Sequence, residues 1–171
     1  MSDPQAFRFD DDGETPNNPR LPLLLYRGAV SLAGAADPAA VFEKTFARHG
    51  WSDSWRNGIF DFLHFHPHAH EVLGIARGRA RVEFGGARGQ QVELAAGDVA
   101  VLPAGTGHRR IDASRDLLVV GAYPETCRDY AHQRPNRASH GAAASAIART
   151  PLPAQDPVHG AQGPLVKLWS E

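Results

Sequence analysis

Between Trp55 and Tyr123 the sequence is a series of short runs with an apolar period of two, and this pattern restricts the fold more than any other feature. The runs are "WRNGIFDFLHFH", "EVLGIARG", "RARVEFGG", "QQVELAAGD", "VAVLPAG" and "DLLVVGAY", each ended by glycine, proline or aspartate. Alternation places successive side chains on opposite faces of a strand, and many short strands with close turns build a sandwich or barrel. The whole chain has 171 residues, enough for one substantial core and too few for two ordinary domains.

The flanks differ from this centre. Residues 1–20 carry Asp10, Asp11 and Asp12 with few apolar side chains and read as a polar N-terminal arm. The segment "LPLLLYRGAV" reads as a first strand, with an apolar edge free to pair with a second copy. "DPAAVFEKTFARHG" reads as a helix near 38–49: Asp37 caps it, Pro38 suits its first position, and Gly50 suits its left-handed end. Val41, Phe42, Thr45, Phe46 and His49 share one face, which can dock on a sheet. Residues 124–171 form a proline-rich extension with one short helix near Ala142–Arg149, expected to wrap the barrel of residues 21–123 and tuck Leu165, Leu168 and Trp169 against it.

Two stretches carry chemistry. In "GIFDFLHFHPHAHEVLGIARG" five residues separate Gly58 from His64, one separates His64 from His66, four precede Glu71, and six more reach Gly78. On a strand, His64 and His66 face the same way, as do Phe60 and Phe62 before them. A turn at His68 and Ala69 then brings Glu71 back on a neighbouring strand, so two imidazoles and a carboxylate converge. His70 has the opposite parity, and His68 and His70 read as outer-shell or surface residues. In "GDVAVLPAGTGHRRID" five residues separate Gly97 from Pro103, one precedes Gly105, two precede His108 and three precede Asp112. Eighteen residues lie between Gly78 and Gly97, which suits one hairpin.

At these spacings the two stretches resemble the paired motifs of the cupin superfamily, with Asp112 where the second motif usually has asparagine. The resemblance implies an all-β double-stranded β-helix, here with one short N-terminal helix and a loop-rich tail. It also implies a divalent metal held by His64, His66, Glu71 and His108. The flanking segments "PNNPRLPLLLY", "GAYPE", "PLPAQDPVHG" and "LVKLW" are similar to those of the YjlB-like cupins, over nearly the full length.

Three imidazoles and a carboxylate suit Mn, Fe, Ni, Zn or Cu and leave coordination positions open. The expected function is therefore a metal-dependent enzyme, an oxygenase, isomerase or lyase, acting on a small oxygenated and anionic molecule. A metal- or small-molecule-binding cupin without turnover is the alternative. Glu71 could leave the metal to act as a base. Arg110 shares the parity of His108 and could pair with an anionic ligand. Phe60 and Phe62, with Leu73 and Ile75, would line the pocket, the two rings forming its apolar base, and Tyr123 lies at a strand end within reach. Cys127 is a lone thiol.

Balanced charge, 19 acidic against 18 basic residues, gives no phosphate-tracking surface, so nucleic acid is not an expected partner. No apolar run has the roughly 20 residues of a membrane helix. A single cysteine fits a cytoplasmic protein. The cupin resemblance further suggests a homodimer.

Overall fold

The computed structural model describes residues 3–170. Along the chain lie β1 (Gln5–Phe7), β2 (Leu23–Tyr26), α1 (Pro38–Arg48), β3 (Trp51–Asn57), β4 (Glu71–Arg77) and β5 (Arg79–Phe84). They are followed by β6 (Gln90–Ala95), β7 (Val99–Leu102), β8 (His108–Ala113), β9 (Leu118–Pro124), α2 (His140–Arg149) and α3 (Pro164–Leu168). The strands form a six-stranded antiparallel sheet in the order β1-β2-β7-β4-β9-β3, facing a three-stranded sheet in the order β6-β5-β8. This is the all-β architecture expected from the alternating runs.

The two sheets differ in sequence because they differ in cover. β5 alternates Arg79, Ala80, Arg81, Val82, Glu83, Phe84, and only Ala80, Val82 and Phe84 are buried, so its outer face meets water. β2 and β7 are apolar throughout because both faces of the large sheet are covered. Leu23, Leu25, Leu73, Ala100 and Leu102 point between the sheets. Leu24, Tyr26, Val72, Val99 and Val101 point outward, into a second core under α1 and the C-terminal tail.

Helix α1 begins where the sequence predicts. Asp37 accepts from the Ala40 amide at 3.3 Å, Pro38 stands in the first turn, and Gly50 takes the left-handed conformation after the helix, with φ +76°. Phe42 and Phe46 are fully buried against the sheet. The helix sits so close to β4 that a Cβ at Gly74 would lie 2.4 Å from the Phe42 ring, so only glycine allows this docking.

Three sequence expectations need correction. The N-terminal stretch is more than an arm. β1 pairs with β2, and buried Asn17 donates to the carbonyls of Asp10 and Gly85 and accepts from the Gly107 amide at 3.0 Å. These are polar attachments, which a composition poor in apolar residues does not reveal. The edge of β2 is not free for a second copy, because β1 covers one side and β7 the other. The strand expected to run through His66 ends at Asn57, and residues 58–63 are irregular.

The tail packs on the outer core through buried Leu165 and Trp169 and partly buried Leu168. Its centre is Asp156, fully buried, which accepts from the Tyr26 hydroxyl at 2.5 Å and from the amides of Val158, His159 and Leu165. Trp51 and Trp169 add indole hydrogen bonds, to the carbonyls of Gln155 and Pro22. Among the described residues no helix is long and apolar enough to cross a membrane.

Candidate metal centre

Four side chains converge between the sheets. His108 opens β8, and the irregular segment after β3 runs alongside it, so that His64 and His108 exchange both backbone hydrogen bonds, at 3.2 and 2.9 Å. Their rings lie 4.1 Å apart. The expectation that Glu71 returns beside His64 and His66 is corrected here: Glu71 starts β4, which pairs with β7 and β9 instead. It reaches the imidazoles from the facing sheet. All four residues are buried, and the ligand nitrogens of His64, His66 and His108 all lie within 4.8 Å of one another.

The backbone fixes which nitrogen each ring turns inward. The Nδ1 atoms of His64, His66 and His108 lie 2.9, 2.8 and 2.9 Å from the carbonyl oxygens of Phe62, Tyr130 and Thr106. A carbonyl only accepts, so each Nδ1 carries the proton and donates it, and each Nε2 presents a lone pair. Carbonyls that orient imidazoles in this way are the usual outer support of a metal site. Glu71 Oε2 lies 3.4 Å from His66 Nε2 and 3.3 Å from His108 Nε2, yet it is buried without a hydrogen-bond partner. Bare imidazole lone pairs facing a bare carboxylate oxygen repel one another unless a cation or a proton stands between them.

The electrostatics have the same sense. Burial, reinforced by neighbouring His108, brings His64 down to about 3, so it is neutral near pH 7. Burial also disfavours charge on His66, but the Glu71 carboxylate outweighs it and raises this imidazole. Burial would raise Glu71 itself, and the imidazoles of His66 and His108 instead hold it well below the usual carboxylate range. The site thus keeps its carboxylate charged and favours a positive charge beside it.

Above these residues opens a cavity of about 510 Å³. Arg110 lines it, two residues along β8 from His108 and on the same face, since its register partner Val82 and that of His108, Phe84, both point inward. Among the described residues its guanidinium has no hydrogen-bond or ion-pair partner. Tyr123 also lines the cavity, beside Glu71 on β9, and its hydroxyl accepts from Trp55 Nε1 at 3.0 Å. Burial, followed by the Glu71 charge, raises the Tyr123 phenol above its ordinary value.

Phe60 and Phe62 are not the base of the pocket. They sit on the irregular segment, where strand parity does not hold, with Phe60 at the rim and 47% exposed. Phe62 lies outside the lining, stacked on Phe60 and under the Arg134 guanidinium. Leu73 and Ile59 supply the apolar lining below, and Ile75 packs in the core away from the cavity. His68 is exposed. His70, expected near the surface or around the ligands, is a core residue: Nδ1 accepts from the Ala104 amide at 2.9 Å and Nε2 donates to the Pro151 carbonyl at 3.2 Å. Burial brings its pKa down to about 4, in keeping with that neutral form. Cys127 is buried, and burial raises its thiol.

Nothing in the sequence pattern marks the tail's share of the site. Just after β9 the chain crosses the cavity mouth, where Gln133 pairs with Phe65, Tyr130 supplies the carbonyl that orients His66, and His132 lines the rim. The one signal available is positional: β9 ends at the site, so whatever follows it begins there.

The chain is similar to several known proteins. Residues 58–120, which hold all four converging residues, match the family model described as Cupin domain. A variant of Bacillus subtilis oxalate decarboxylase OxdC is similar at 20% identity and a TM-score of 0.40, over 66% of this chain and 27% of that one. The chain therefore spans about a quarter of that protein's length. A double-stranded β-helix protein from Klebsiella pneumoniae is similar at 19% identity and a TM-score of 0.39, over 48% and 66% of the two chains. The uncharacterized protein YjlB of Bacillus subtilis (strain 168) is 39% identical over 166 residues, 96% of each chain. With a barrel of this form, a histidine cluster between its sheets and a relative matching it from end to end, the chain belongs to the cupin family.

Proposed function

We propose that this cupin holds one divalent transition metal on His64, His66, Glu71 and His108 and works as a metal-dependent enzyme on a small oxygenated, anionic molecule. The observation that carries this reading is the buried, partnerless Oε2 of Glu71, faced by imidazole nitrogens whose protons are committed elsewhere. An ion there would act as a Lewis acid toward the oxygens of a bound molecule. Its identity lies among Mn, Fe, Ni, Zn and Cu.

The chain's own residues divide the remaining work. Arg110 pairs with the ligand's negative group by charge-assisted hydrogen bonds. Tyr123, whose phenol stays protonated at neutral pH, donates toward an oxygen near Glu71. Glu71 is placed to exchange a proton with the ligand, and the buried floor of Leu73 and Ile59 keeps water away from it. The reaction class is an oxygenase, isomerase or lyase. We also place the protein in the cytoplasm and expect a homodimer, whose contact is not the β2 edge; light scattering giving the 18.5 kDa monomer at high concentration overturns that expectation.

The test is metal analysis of protein purified without a histidine tag, followed by oxygen-uptake and turnover screens with hydroxy and keto acids. About one equivalent of metal together with turnover supports the enzyme. Metal with ligand binding and no turnover favours a non-catalytic binding protein. Absence of metal under every loading condition removes the proposal.

A further inference from the structure

We propose that the site selects a planar, conjugated carboxylate, with its ring on Phe60 and its carboxylate on Arg110. The inference rests on the cavity being a ligand site, as proposed above, and adds the shape and chemistry of what enters it.

Phe60 carries the first half. It is one of only two large hydrophobic residues exposed among those described, the other being Leu152, and it lies on the cavity rim. A ring has two faces, and Phe62 takes one, with centroids 4.7 Å apart and planes 19° from parallel. His64 meets it edge-on at 5.1 Å and His132 at a tilt at 5.2 Å. A ring anchored from behind and beside, with nearly half its surface open to solvent, offers a fixed stacking platform. The other cavity rings are already engaged: Tyr123 and Tyr130 stack on each other at 4.0 Å, and Trp55 covers Gly121, where a Cβ would lie 2.1 Å from the indole. The wall is enriched in aromatic residues. Trp55, Phe60, Tyr123 and Tyr130 are four of its sixteen residues, a quarter, against 8% aromatic residues in the chain.

Arg110 carries the second half, and the backbone couples it to Phe60. The Arg110 amide donates to the Phe60 carbonyl at 2.8 Å, so the two residues are backbone neighbours, and both line the same cavity. The guanidinium is half-buried in the lining without an acidic partner, and a fixed planar fork matches a carboxylate. A cavity of about 510 Å³ accommodates a ring-sized molecule, within the roughly 300–1,000 Å³ range of small-molecule sites.

The test uses two probes of equal charge and carbon count, benzoate and cyclohexanecarboxylate, titrated by calorimetry into metal-loaded and chelator-stripped protein, with metal content measured on the same samples. Benzoate should bind about three- to tenfold more tightly, the increment expected of one aromatic contact. Phe60→Leu should abolish that preference while keeping the weaker common affinity. Arg110→Gln should weaken both acids about ten- to a hundredfold and leave metal content unchanged. Equal affinity for the two acids, an undiminished preference in Phe60→Leu, or no benzoate binding in either form overturns the inference. Protein that carries metal yet shows no preference sinks this inference alone. Protein that never takes up metal yet binds benzoate through Arg110 and Phe60 sinks the metal reading alone.

Discussion

At the scale of single residues the two kinds of histidine in "HFHPHAHE" separate by what their nitrogens touch. His66, like His108 from the second stretch, aims a bare Nε2 at Glu71, whereas His68 is exposed and His70 spends both nitrogens on backbone groups. His66→Ala or His108→Ala should therefore remove most of about one equivalent of bound metal, and His68→Ala should remove little, as measured by mass spectrometry on tag-free protein. Equal losses from all of them would mean loose binding by a histidine-rich tract. His70→Ala should leave an unsatisfied buried amide at Ala104 and a cavity under Trp169, at a cost of roughly 2–4 kcal/mol in denaturant unfolding. The spacing of the first stretch groups His64, His66 and Glu71 through its resemblance to the cupin motif, although the strand repeat and turn it suggests are not what joins them: Glu71 reaches the two imidazoles from the facing sheet. It could not tell His70 from a surface histidine, since its partners, Ala104 and Pro151, lie 34 and 81 residues away.

At the scale of elements, local patterning was readable wherever local chemistry decides. Asp37, Pro38 and Gly50 mark helix α1 because caps and a left-handed end are properties of a few adjacent residues. The irregular segment from 58 to 63 was not readable as such: "GIFDFLHFH" alternates like a strand, but Phe60 and His64 are held by partners on β8 rather than by a continuous ladder. That single difference moved Phe60 from the expected pocket floor to the rim. The tail is legible in composition and silent in position, since its attachment depends on one carboxylate. Asp156 accepts from a tyrosine hydroxyl and three amides within a fully buried site. Asp156→Ala should strand those donors and cost about 3–5 kcal/mol, the scale of breaking a buried charged network. Because the same tail supplies the carbonyl behind His66, hydrogen exchange should show the segment around Tyr130 loosened in this variant, and metal should bind more weakly. Unchanged stability would mean that the outer core alone holds the tail.

At the scale of the whole molecule the proposed metal site and the core should be separate sources of stability. The inner core between the sheets contains Leu23, Leu25, Leu73, Ile75, Val82, Phe84 and Leu102, and the outer core buries Phe42, Phe46, Trp51 and Trp169; none of these side chains is a metal ligand. Two of the four proposed ligands ride on strands that other contacts already pair, Glu71 on β4, hydrogen-bonded on both sides, and His108 on β8, paired along β5, and His64 is tied to His108 by two backbone hydrogen bonds. Metal binding should therefore add to a fold that exists without it, in contrast to a zinc finger, whose folding free energy comes from its ion. At free metal some 100 to 1,000 times the dissociation constant, the added stability is about 2.7–4.1 kcal/mol. For a chain of this size each kcal/mol moves the melting temperature by about 2–4 °C, so chelation should lower it by roughly 5–15 °C. The transition should remain a single cooperative step with unchanged far-ultraviolet dichroism before melting. Unfolding at ambient temperature on adding a chelator would mean that the four residues form a structural clamp, and the open, ligand-accepting role given to them would have to be withdrawn.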